Sequence, residues 1–158
     1  MNKVVARRTD QPRRIGQSII ALSAGFVVAV VLSLGTDFSL HAVGFWPALA
    51  QPMAAPLLLI ATIYRTIYQI ISAYVVARLA PYRPLQHALI GGAIGLALSI
   101  AGGIATWNRA LGPHWYSVAL LFVALPSAWV GGKLRLTQLG DKRRPERQDF
   151  NSKRAGPK

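Results

Sequence analysis

Four polar side chains, Thr62, Arg65, Gln69 and Ser72, stand inside the apolar run LLLIATIYRTIYQIISAYVVARL. Their offsets of −3, 0, +4 and +7 from Arg65 place them on one face of a helix, with Tyr68 beside them. Ile60, Ile63, Ile67, Ile70 and Ile71 fill the opposite face. An arginine within a membrane-length helix costs roughly 2.5–3.5 kcal/mol on insertion scales and ~10–17 kcal/mol in simulations of an isolated helix. It must therefore pair, snorkel to an interface or face a wet cavity. Such a stripe supports two kinds of chemistry: a buried polar clamp, or a site for a small anion, a polar solute or an anionic lipid headgroup. Of the five acids, Asp10, Asp141, Glu146 and Asp149 lie toward the chain ends, which leaves Asp37 as the acidic partner within reach of Arg65. Backbone carbonyls of the fourth apolar segment, or of the loop after the first, are the rival partners.

Other chemistry finds little support. No carboxylate lies within an apolar segment, which argues against a proton relay built on Asp or Glu. His41, His114 and Asp37 share one side, but their spacing matches no known metal-ligand pattern. There is no nucleophile elbow, phosphate-binding glycine loop or HExxH motif. The expectation is a protein that is not an enzyme, with no catalytic residues, metal or cofactor. The absence of cysteine rules out disulfides and thiolate metal sites and leaves the redox compartment open.

The elements that hold the stripe are apolar helices. A helix needs roughly 20 apolar residues to cross the hydrocarbon core of a bilayer. Four segments qualify, at about residues 15–35, 57–79, 85–105 and 115–132, and none alternates as a strand would. The predicted fold is an all-α membrane protein, a four-transmembrane-helix bundle at residues 15–134. Basic tails flank it at residues 1–14 and 135–158, the second expected to be disordered. The formal net charge of +13 comes mainly from these tails. Five Lys or Arg precede the first segment, two lie in the turn between the second and third (Arg78, Arg83) and nine follow the fourth. The loop between the first and second has none, and the loop between the third and fourth has only Arg109. The positive-inside rule then puts both termini in the cytoplasm. Trp46, Trp107, Trp115 and Tyr116 fit an outer aromatic belt, and Tyr82 and Trp129 an inner one. Beside a bilayer, the tails are expected to meet anionic lipid headgroups, at about 1 kcal/mol per residue near the surface, rather than a specific nucleic acid.

In LAPYRPLQHA, Pro81 disfavours helix at Ala80 and Pro84 suits the first turn of the third helix, so the second and third segments form a helical hairpin. The loop at residues 36–56 is expected to lie on the outer surface, with a short interfacial helix from about Ser39 to Trp46. Gly91, Gly95, Ser99 and Gly103 recur every four residues and predict close helix packing. The same stripe also suits a homo-oligomer interface, a membrane-protein partner or a face that slides during transport. Ala21, Gly25 and Ala29 form a shorter version on the first segment. Pro126 should bend the fourth.

The run YRTIYQIISAYVVARLAPYRPLQHALIGGAIG, followed by GPHWY and LPSAWVGGKL, resembles a group of uncharacterised bacterial inner-membrane proteins with four predicted helices. In that group an ARLAPxRPxxHA pattern joins the second and third helices. The likeness covers about residues 57–134 and departs from the pattern at Ser72-Ala73, where the group often has Gly-Gly. It implies a bacterial inner membrane and brings no activity with it. Two readings follow. The first is a non-catalytic structural or accessory subunit. The second is a small oligomeric transporter or channel that uses the Arg65/Gln69 stripe as an anion or polar-solute site.

Overall fold

The computed structural model describes residues 6–47, 51, 53–107 and 113–154. Residues 1–5 and 155–158 of the expected tails, and Arg109, lie outside the described residues. Four helices follow in order: α1 (Ala6–Ala42), α2 (Ala55–Leu79), α3 (Pro84–Thr106) and α4 (His114–Arg154). Each contains a segment long and apolar enough to cross a membrane: Ile15–Ala42, Ala55–Leu79, Pro84–Ala105 and His114–Asp141. No strand occurs among the described residues.

Two helices are longer than composition predicts. α1 begins within the basic tail and continues past residue 35 to Ala42, so the expected interfacial helix beginning at Ser39 is instead the end of α1. Ser39 Oγ donates to the Gly35 carbonyl at 2.7 Å, and His41 Nδ1 donates to the Asp37 carbonyl at 2.8 Å, both across one helical turn. Gly44, at φ +73°, ends the helix, and the Phe45 and Trp46 amides fold back onto the Leu40 carbonyl. α4 runs on to Arg154, where a disordered tail was expected from residue 135. Helix propagation costs far less than nucleation, and the segment beyond the membrane is rich in Lys, Arg, Gln and Leu, which favour helix.

The 2–3 turn follows its prolines. Ala80 is extended before Pro81, and Pro84 opens α3. Arg83 between them takes a left-handed conformation, φ 43°, and its carbonyl accepts from the Gln86 and His87 amides.

α2 is the hub and packs on α1, α3 and α4. α3 also packs on α4 and touches α1 lightly, whereas α1 and α4 do not meet among the described residues. Most of the buried apolar residues are alanines, Ala21, Ala61, Ala73, Ala77, Ala88, Ala124 and Ala128, joined by the larger Trp46, Leu58 and Val76. Val31, Ile63, Ile67, Phe122 and Leu125 face outward. This reverses a water-soluble core and suits helices that associate in lipid by close backbone approach.

The glycines that carry that approach differ from the predicted stripe. A methyl group at Gly131 would lie 2.5 Å from the Ile70 carbonyl oxygen, so α4 and α2 touch backbone to backbone there. One at Gly92 would lie 2.5 Å from Ala128 Cβ, and one at Gly132 2.7 Å from Leu85 Cδ1. Gly25 is held against Ser72 and Val76. In the expected α3 stripe, a methyl group at Gly91 would make ordinary van der Waals contact with Leu22 of α1 and Val76 of α2, whereas one at Gly95 would have no heavy atom within 4 Å. Gly95 and Ser99 line an open cleft, and Gly103 lines a chamber near the 1–2 loop. The face of α3 that meets α4 runs through Ala88 and Gly92, about 100° around the helix from the predicted stripe. Pro126 is exposed, and α4 continues through it as one helix.

Candidate functional site

The seam between α1 and α2 collects most of the polar side chains predicted from sequence. Arg65 is 14 residues from the end of α2 at Leu79, about 21 Å along the axis, or roughly two-thirds of the way across a ~30 Å core. The extension of α1 beyond residue 35 brings Thr36 and Asp37 to the same level. Arg65 Nη2 donates to Asp37 Oδ2 at 2.5 Å, and the Tyr64 hydroxyl donates to Asp37 Oδ1. One carboxylate thus takes a cation on one oxygen and a phenol on the other. One turn along α2, the Tyr68 hydroxyl shares a 2.8 Å hydrogen bond with Thr36 Oγ1. Toward the 2–3 turn, Ser72 Oγ donates to the Gly25 carbonyl at 2.7 Å. These four links, spread over two turns of α2, stitch α1 to it.

Two predicted members behave differently. Thr62 Oγ1 donates to the Leu58 carbonyl of its own helix at 2.8 Å, so its hydroxyl takes no part in the seam. Gln69 faces the cleft, and its Oε1 is buried with no hydrogen-bond partner. Arg65 Nε is likewise buried and unpaired, although the guanidinium is bound through Nη2.

The ion pair stands where two cavities meet. Above it, toward the 1–2 loop, is a chamber of about 330 Å³ bordered by His41, Trp46, Tyr64, Trp107, His114 and Tyr116. His114 stacks on Trp107, with ring centroids 4.2 Å apart, and Trp46 is buried rather than lying in an exposed belt. On the membrane side is a larger cleft of about 910 Å³ between α1 and the α3–α4 pair. Asp37 and Arg65 line both. His41, His114 and Asp37 share the chamber, but no group of three metal-ligating side chains occurs among the described residues.

Sequence reasoning missed three parts of this arrangement. Tyr64 was not assigned to the site, although it immediately precedes Arg65 and stands one turn before Tyr68. Thr36 was read as loop because the apolar run stops at residue 35. His87, expected at an interface, is buried, with Nε2 2.9 Å from Ser18 Oγ and Tyr82 edge-on to its ring. It ties the start of α3 to α1.

Compared with known proteins, the chain matches no family model, no curated protein sequence and no solved structure.

Proposed function

We propose that this is a non-catalytic structural or accessory protein of a bacterial inner membrane, with both termini cytoplasmic, and that the Arg65 stripe is its internal clamp. The observation that carries this reading is the pairing of Arg65 with Asp37. The guanidinium of an anion site must be available to its ligand, and here a carboxylate of the same chain already balances its charge. The neighbouring hydroxyls of Tyr64, Tyr68 and Ser72 are likewise engaged by α1. The segregation of basic residues supports the orientation. The ARLAPxRPxxHA run supports kinship with bacterial four-helix inner-membrane proteins, and the basic ends support contact with anionic lipid.

Proteoliposome flux tests this function. The clamp reading predicts chloride and phosphate permeation no faster than in protein-free vesicles. It also predicts that an Arg65→Leu/Asp37→Leu double variant purifies as monodisperse as the wild type, because removing both charges leaves neither one stranded. Anion flux that depends on Arg65 in a normally folded protein would establish the transporter reading instead.

A further inference from the structure

We propose that the cleft between α1 and the α3–α4 pair binds a neutral, long-chain amphiphile, with its aliphatic tail in the cleft and a hydroxyl or amide head at Arg65 and Gln69. Three observations point to this class of ligand. The first is shape. The cleft measures about 910 Å³, within the roughly 300–1,000 Å³ range of small-molecule sites. The second is the lining. Phe26, Val30, Ile94 and Leu98 form apolar walls over a floor that includes Gly95 and Ala124, a surface for hydrocarbon.

The third is the polar chemistry at one end. Arg65 Nε is a buried donor with no partner, and Gln69 Oε1, one helical turn away, is a buried acceptor with no partner. In a membrane each such group costs free energy until something satisfies it. A head that both accepts and donates, as a hydroxyl or amide does, answers the two together once the Arg65 and Gln69 side chains rotate toward the cleft. Charge narrows the class further. Arg65 is already balanced by Asp37, so an anionic head meets the carboxylate and a cationic head meets the guanidinium. A neutral head incurs neither repulsion. Because Arg65 and Asp37 also border the smaller chamber, where His41, Tyr64 and His114 add polar groups, the head lies at the more polar end of the cleft.

Photo-crosslinking in phosphatidylcholine proteoliposomes tests the proposal, using diazirine-bearing long-chain alcohol, fatty acid and alkyl-trimethylammonium probes at neutral pH. Gly95→Leu is the informative variant. A side chain there starts with no heavy atom within 4 Å, so it is accommodated and projects into the cleft. It also leaves the Arg65–Asp37 pair intact, so its result is independent of the clamp reading. The alcohol should label the cleft faces of α1 and α3 in preference to the two charged probes. Labelling should fall about tenfold or more in Gly95→Leu, and Gln69→Leu should erase the preference for the alcohol. Ile63→Ala, on the outward face, should change nothing. The proposal is overturned if the three probes label alike or if Gly95→Leu has no effect.

Discussion

Arg65 on α2 and Asp37 on α1, 28 positions apart in the chain, meet with Nη2 and Oδ2 2.5 Å apart. The side chains are 33% and 23% exposed, so the pair is sheltered without being sealed. Its partners grade its surroundings: Tyr64 completes the carboxylate, Tyr68 and Thr36 close the next turn, and Ser72 grips the Gly25 backbone. Because each member comes from an apolar helix, the contacts reinforce the packing of α1 on α2, its main neighbour, while α1 touches α3 only lightly.

The two tyrosines should differ in importance. Tyr64→Phe removes a hydrogen bond to a carboxylate and should cost about 1.5–3 kcal/mol of stability, while Tyr68→Phe removes a neutral bond to Thr36 and should cost about 1 kcal/mol. Equilibrium unfolding in mild detergent or bicelles measures both. Equal losses would mean that the carboxylate does not dominate the seam.

Glycine positions separate packing from open space. Gly131→Val forces a side chain against the Ile70 carbonyl and should cost at least about 1–3 kcal/mol, whereas Gly95→Ala should be close to neutral. Midpoints of thermal unfolding for the two variants, compared with the wild type, decide the matter.

His87 supplies a second tie to α1. His87→Ala removes the hydrogen bond between the ring and Ser18 and opens space beside buried Ala88, so it should destabilise the protein by about 1–3 kcal/mol. His87→Gln, which keeps a hydrogen-bonding end, should recover part of the loss in the same unfolding assay.

The orientation has its own check. The natural chain has no cysteine, so single cysteines report without background. Cysteine at Phe45 should react with an impermeant maleimide from outside intact cells, and cysteine at Tyr82 only after lysis. The reverse pattern would overturn the proposed placement of the 2–3 turn in the cytoplasm.

The fold was largely legible because its signals are local. Four apolar runs of membrane length, the prolines at residues 81 and 84, and the polar offsets around Arg65 each depend on a few neighbouring residues. What escaped depends on context. The end of α1 was placed near residue 35, where hydropathy drops. A helix end follows backbone hydrogen bonding and a left-handed glycine, and Gly44 lies nine residues further on. The small-residue stripe of α3 was real as a pattern. Which face meets a neighbour is set by where the other helices lie: Gly92 packs on Ala128 of α4, whereas Gly95 lines the cleft. Gln69 and Arg65 both line the cleft, but a one-dimensional pattern holds no information on which polar atoms find partners.

A double-mutant cycle on residues 37 and 65 tests the central claim most directly, with stability measured by reversible unfolding in a lipid bilayer or bicelle. Asp37→Arg and Arg65→Asp each place like charges together within the seam, and each should cost about 3 kcal/mol or more. The account predicts that the exchanged pair, Asp37→Arg with Arg65→Asp, regains at least half of the summed loss. Strictly additive losses in the double variant would show that the two residues do not act on each other and would contradict the clamp.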